Sequence, residues 1–299
     1  MTVLVLGANG QVGRELLRAL PPRYGTEAAT RTGLLPGGGA CNVADFRDVG
    51  SLTRLLDRLR PRVVVNAAAY TAVDRAEDER DLAFRVNAEA PDAIAQWCAR
   101  HDALMVHYST DYVFDGTGHR PYKPDDPTGP LGVYGESKLA GEQAVLASKA
   151  HSMILRTSWV FAAHGHNFLR TMLRLAAEKS ELRVVADQIG TPTSAALIAD
   201  VTARILGAVP TGGGLWHLVA TGQTTWHGFA EEIFAQAARA GMIQRSPTVV
   251  PIPSSEFPTP ARRPGYSCLD TGSLVETFDV NLPEWREGVA AVLKELRGA

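Results

Sequence analysis

A chain of 299 residues is long enough for one large domain with a smaller one attached, or for two modest domains. With 45% hydrophobic and 21% charged residues its composition is that of an ordinary globular protein, and a formal net charge of -2 excludes the global positive field of a nucleic-acid or anionic-membrane binder. Cys41, Cys98 and Cys268 are widely spaced, odd in number and without zinc spacing, so they offer no disulfide framework and imply a reducing cytoplasm.

The first apolar run, residues 3–6, starts too early for a signal peptide: no basic n-region or small-residue cleavage site precedes it. No stretch of about 18 apolar residues predicts a membrane span. The run reads as a buried strand and leads into Gly7, Gly10 and Gly13, after which an amphipathic helix is expected over 12–20. A strand, a glycine turn and a helix N-terminus together suit a dinucleotide pyrophosphate. The glycines allow a tight turn, a close backbone approach and close helix–strand packing, and the helix end offers free N–H groups. The G-x-x-G-x-x-G spacing resembles that of extended short-chain dehydrogenases.

A second strand should end near Ala28, Ala29, Thr30 and Arg31. An acidic residue there would bind the adenosine ribose and repel a 2′-phosphate, but the chain has Thr30 and Arg31 and no acid until Asp45. A hydroxyl and a guanidinium predict NADPH in preference to NADH, with NADH still usable. The competing reading makes Arg31 an ordinary solvated residue. A helix follows over 45–59, then a strand over 63–65 that runs into Asn66, Ala67, Ala68 and Ala69, whose small side chains let a cofactor lie close to backbone. The pattern over 78–100 is helical, with a kink or boundary expected at Pro91.

The strand at 104–106 delivers Tyr108, Ser109, Thr110, Asp111 and Tyr112 to its carboxyl end, where ligands sit in doubly wound sheets. Thr110 is the candidate that orients a substrate carbonyl, with Ser109 as its competitor. A helix over 134–148 then opens with Tyr134 and Lys138 on one face. An ammonium near a phenol stabilises phenolate and lets tyrosine trade a proton near neutral pH, while the lysine can also hold the nicotinamide ribose. Only five of the 30 basic residues are lysine, a bias that suggests a GC-rich genome and makes Lys138 informative. A strand at 153–155 completes the regular part.

Near-continuous apolar strands alternating with helices predict an α/β fold: a Rossmann-type doubly wound parallel sheet built of right-handed βαβ units. Beyond about residue 160 the pattern loosens. Helices are expected near 166–178, 194–208, 225–240 and 284–297, and residues 251–267 are too proline-rich for helix or central strand, which leaves an ordered loop or a linker. The division is a 1–160 NAD(P)-binding Rossmann domain and a 161–299 smaller, interleaved substrate-binding region.

GANGQVGREL, RPRVVVNAAAYTAVDRAE, VHYSTDYVFDGTG, VYGESKLAGE, LRTSWVFAAHGHNF, LRVVADQIGTPT and PTPARRPG occur in an order that resembles the dTDP-4-dehydrorhamnose reductases nearly end to end. The resemblance implies reduction, by NAD(P)H in the cytoplasm, of the C4 keto group of a dTDP-linked 4-keto-6-deoxysugar, dTDP-4-dehydro-L-rhamnose, to dTDP-L-rhamnose. It implies Thr110, Tyr134 and Lys138 as the catalytic trio and Gly10, Gln11 and Val12 as the pyrophosphate turn. It places Ala69, Tyr70, Thr71 and Tyr108 along the cofactor, and Thr110, Asp111 and Trp159 against the sugar nucleotide. Trp159 also reads as core. Arg263 suits a diphosphate through its planar fork, or a purely structural role.

Family members can hold magnesium with glutamates at a subunit contact. Here Glu15 matches one such position but Ala196 stands at another, which argues against a magnesium-bridged dimer and leaves monomer or homodimer open. Glu15 reads instead as a first-turn residue complementing the helix dipole. Three rival readings stay open: a 4-ketoreductase or synthase of another dTDP-deoxysugar (dihydrostreptose or an antibiotic sugar), an epimerase of the same superfamily, and a non-catalytic NADP-binding regulatory subunit. No nucleic acid or membrane partner is expected.

Overall fold

The computed structural model describes residues 1–298. Six strands, β1 (Thr2–Leu6), β2 (Gly25–Thr30), β3 (Asn42–Val43), β4 (Val63–Asn66), β5 (Leu104–Thr110) and β6 (Ser152–Thr157), join the strand Gly213–His217 in one seven-stranded sheet. The spatial order is Gly213–His217, β6, β5, β4, β1, β2, β3, and every pairing is parallel. The order reverses between β1 and β4, and a ligand crevice is expected at the carboxyl ends of those strands.

The central strands β1 and β4 are almost wholly apolar because both faces are covered. Val3, Val5, Val65 and Val106 pack with Leu16 of helix α1 (Gln11–Ala19) and with Ile198 and Ile205 of the helix Ala195–Ile205. Their neighbours Leu4, Leu6, Val64 and Met105 pack with Leu52 and Leu56 of α2 (Val49–Leu59) and with Ile94 and Trp97 of the helix Ala90–His101. Alternation along each strand thus feeds two cores, one per face. A further core joins Leu169, Phe229, Ile233, Trp285 and Val289, all from beyond residue 160. The same stretch of chain also supplies the sheet strand Gly213–His217.

Three elements depart from the sequence expectation. Helix α2 starts at Val49 rather than at 45, because the Asp48 carboxylate caps it by accepting from the Ser51 N–H. The segment 78–100 is not one helix: short helices at Val73–Ala76 and Arg80–Phe84 run through a π-helical turn, Arg85–Glu89, into Ala90–His101, with Pro91 in the first turn of the last. Within 251–267, Pro251 lies in a strand, Thr248–Ile252, which pairs only with Glu181–Val185. A two-stranded ribbon leaves one side of each strand unpaired, so proline's missing donor is tolerated there.

Candidate active site

A cleft of about 730 Å³ runs along the carboxyl ends of the central strands. Gly7, Gly10, Gln11 and Val12 line one end with Arg31, and Ala67, Ala68, Ala69, Tyr70 and Thr71 form its wall. Tyr108, Tyr134 and Lys138 line the other end. Gly7 has a φ of 75°, and a Cβ on it would lie 2.6 Å from the Ala68 nitrogen, so glycine alone fits between the turn and β4. A Cβ on Gly13 would lie 2.2 Å from the Gly7 carbonyl oxygen. Gly13 therefore serves the site through helix–turn packing rather than by lining the cleft.

Thr30 requires a correction. It is buried, its hydroxyl donates to the Leu34 carbonyl at 3.1 Å and accepts from the Leu34 N–H at 3.1 Å, and it does not face the cleft. A hydroxyl consumed by its own turn is not presented to a phosphate. Arg31 is exposed and lines the cleft, with no ion pair among the described residues. Asp45, Phe46 and Arg47, which sequence reasoning left out, line the same end. The Arg47 guanidinium donates to Asp45 Oδ2 at 2.6 Å and to Oδ1 at 3.0 Å, and holds that carboxyl below its ordinary range.

At the other end the helix Val133–Ala147 presents Tyr134 and Lys138 to the cleft. Lys138 is buried and its ammonium donates to the Tyr108 carbonyl at 2.7 Å. Burial pulls the ammonium down to about 8, against the opposing pull of the Glu142 carboxylate. Withdrawal from water pushes the Tyr134 phenol well above its usual range, and the nearby Thr110 hydroxyl works the other way. The expected lowering by Lys138 is not what governs this phenol: burial is the larger effect, and the lysine is directed at the Tyr108 carbonyl. Desolvation keeps Tyr134 protonated, which suits a proton donor.

Asn87 supports the site from behind and carries no signal in the sequence. Placed in the π-helical turn, it accepts from the Tyr70 N–H at 2.8 Å and donates to the Tyr70 carbonyl and the Ser137 hydroxyl, each at 3.0 Å. It thereby ties the cofactor wall to the helix of Tyr134. Thr157, within RTSWV, also lines the cleft, and no spacing in the sequence marks it. Its hydroxyl, that of Ser109 and one Asp111 carboxylate oxygen are buried without a hydrogen-bond partner, at the adjacent ends of β5 and β6. Buried polar atoms in such a state call for a ligand or water. With the glycine turn, the Ser109 and Thr157 hydroxyls, which line the cleft, fit a dinucleotide cofactor.

The candidate substrate residues lie beyond the cofactor cleft. Thr110 donates to Asp111 at 3.0 Å and accepts from the Tyr112 N–H at 3.2 Å. Burial pushes the Asp111 carboxyl up to about 6, with the nearby Ser267 and Thr110 hydroxyls opposing. Arg263 donates to the Tyr112 hydroxyl at 2.9 Å and to Asp74 at 2.8 Å, and Tyr112 stands edge-on to Tyr134 with ring centroids 5.5 Å apart. Trp159 has a left-handed φ of 46° and stacks on Trp226 at 3.6 Å, and Gly190 leaves room for its indole.

Glu15 also requires correction. It is the fifth residue of α1, not in its first turn, and it is buried between Arg18 and His164, which both bond its carboxylate. Arg18 also reaches Glu295 at 2.8 Å. A carboxylate whose neighbours are a guanidinium and an imidazole does not fit a magnesium site, and no group of three candidate ligands occurs among the described residues. No helix among the described residues is long and apolar enough to cross a membrane.

The family model described as the RmlD substrate binding domain matches residues 1–298. The chain is 45% identical to a dTDP-4-dehydrorhamnose reductase of Shigella flexneri, covering 99% of this chain and 98% of the relative. It is 46% identical to one from Burkholderia thailandensis, covering 99% of each. Among solved structures, the dTDP-4-dehydrorhamnose reductase of Bacillus anthracis str. Ames in complex with NADP superposes with a TM-score of 0.89, at 34% identity, over 98% of this chain and 99% of that one.

Proposed function

Since the chain belongs to the dTDP-4-dehydrorhamnose reductase family, we propose that it reduces the C4 keto group of dTDP-4-dehydro-L-rhamnose to give dTDP-L-rhamnose, with NADPH preferred over NADH. The observation that carries this reading is the convergence, at one end of a dinucleotide-sized cleft, of Tyr134 and Lys138 with the buried, unpartnered hydroxyls of Ser109 and Thr157, and with Thr110 beside Tyr134 just beyond it.

The nicotinamide, when bound, supplies the hydride. Tyr134 gives its phenolic proton to the C4 oxygen of the sugar, and its high proton affinity keeps it loaded before the reaction. Lys138, anchored on the Tyr108 carbonyl, has donors left for the nicotinamide ribose and stabilises the phenolate formed as the proton leaves. Thr110 orients the carbonyl beside that proton. The unpartnered oxygen of Asp111 accepts a sugar hydroxyl. Trp159, backed by Trp226, walls the sugar, and Arg263 takes the diphosphate. Arg31 takes the 2′-phosphate. Arg263, and Trp226 behind Trp159, come to the sugar-nucleotide side from beyond residue 160, whereas Thr110, Asp111 and Trp159 precede it; the free thiols of Cys41, Cys98 and Cys268 suit the cytoplasm.

The test is oxidation of NADPH with enzymatically made dTDP-4-dehydro-L-rhamnose and identification of the product by NMR. Formation of dTDP-L-rhamnose with stoichiometric loss of NADPH is the expected result. Turnover without net NADPH loss would point to an epimerase, and tight NADPH binding without turnover would move the substrate to another 4-ketosugar.

A further inference from the structure

One buried ion pair remains outside the mechanism. Glu142 lies one helical turn beyond Lys138, and Arg156 lies on β6 next to Thr157, in register with Ser109 of β5. The Arg156 guanidinium donates to the two Glu142 oxygens at 2.9 and 2.7 Å, with side chains 4% and 2% exposed. It also donates to the Pro124 carbonyl at 3.1 Å and lies 5.0 Å from the Phe114 ring centroid. An ion pair this deep carries a desolvation cost that its own attraction barely offsets, so it is weak evidence for stability alone.

Its surroundings give it a second role. Lys138 faces the Tyr108 carbonyl and the His107 ring from β5, and Tyr134 and Glu142 from its own helix. His107 is fully buried and held neutral, its pKa pushed well below the ordinary value by burial and by the Lys138 charge. Glu142 is thus the anion that favours the charged form of Lys138, and Arg156 is the cation that shares it.

We propose that the Glu142–Arg156 pair is a positioning device for Lys138: it pins the helix of Tyr134 and Lys138 to β6 and limits the negative charge that Lys138 feels. Both residues act through Lys138, without touching substrate. The idea rests on the reductase reading for its kinetic consequence, but not for its consequence in cofactor binding.

The two partners push Lys138 in opposite directions. Without Glu142 the ammonium loses its proton at lower pH; without Arg156 the unshared carboxylate keeps it charged to higher pH. Glu142→Gln is therefore expected to move the alkaline fall in kcat, and the alkaline weakening of NADPH binding, downward by on the order of one pH unit. Arg156→Met moves both upward, and Arg156→Lys restores the wild-type position. A purely structural pair would lower the melting temperature in both variants while leaving the two limbs where they were.

Coincident limbs in all variants, or limbs displaced in the same direction, would overturn the proposal. Should the single variants fail to fold, the double variant Glu142→Gln/Arg156→Met decides. Glu142 is the charge of the pair that acts on Lys138 directly, so the limb of the double variant should fall below the wild-type pH, and an unmoved limb refutes the idea. Absence of wild-type turnover would sink the reductase reading alone, because NADPH binding followed by nicotinamide fluorescence still reports on Lys138.

Discussion

The proposed cofactor side and the proposed sugar side of the site are held by different kinds of partner. Lys138 rests on a backbone carbonyl, and Asn87 satisfies both backbone groups of Tyr70 while bonding Ser137. These partners are buried and fixed, and giving one up would leave a polar group unsatisfied. Arg263, by contrast, is paired with an Asp74 whose side chain is 40% exposed, and Trp159 leans on another side chain. Water can take over Asp74 when a ligand takes Arg263. One side is built before ligands arrive, and on the other Arg263 rests on an exchangeable partner, Asp74. Preorganisation serves the reacting end, where small misplacements cost rate, while exchange serves recognition.

Removing the hydroxyl at the fixed side should produce the largest effect. Tyr134→Phe is expected to lower kcat by about 10²–10⁴-fold, the usual worth of a positioned acid, with NADPH affinity nearly unchanged. Near-wild-type turnover in stopped-flow absorbance would remove Tyr134 from the mechanism. On the exchangeable side the effect should fall on KM. Arg263→Met loses a charge-assisted contact and should raise KM for the sugar nucleotide about 10–100-fold, with a smaller change in kcat. Asp74→Asn sharpens the comparison, since it removes the competitor for Arg263 and should lower KM a few-fold. A raised KM in that variant would mean that Asp74 orients Arg263 rather than masking it.

The same contrast governs what could be read from the sequence. The fixed side is made of elements with a strong periodic signal: apolar strands such as residues 3–6, a glycine turn whose spacing has a steric reason, and Tyr134 and Lys138 four apart on a helix. Those positions follow from local chemistry. Asn87 was hidden because the helical pattern over 78–100 carries no mark of a π-helical turn, and a buried asparagine is recognisable only once its partners are in place. Thr30 misled for the opposite reason. Its place at the end of β2 was right, but whether its hydroxyl turns outward or into its own turn depends on Leu34, four residues later. Trp159 and Arg263 were legible only through resemblance, because their partners Trp226 and Asp74 lie 67 and 189 residues away in sequence.

The smallest expected effect tests a residue that belongs to neither category. Arg31 is exposed at the adenosine end of the cleft and has no ion pair among the described residues, so it is neither fixed nor masked. The one carboxylate lining that end with it, Asp45, is already held by Arg47, which leaves Arg31 available to a 2′-phosphate. With Thr30 turned inward, the proposed preference falls to Arg31 without the hydroxyl that was expected to assist it. An exposed ion pair contributes about 1 kcal/mol at most, so Arg31→Ala should reduce the ratio of kcat/KM with NADPH to that with NADH by about fivefold, and less at high salt. Thr30→Val should leave the ratio unchanged while destabilising the turn at residues 30–34. A change in the ratio with Thr30→Val but not with Arg31→Ala would reverse the assignment and place the specificity in the turn itself.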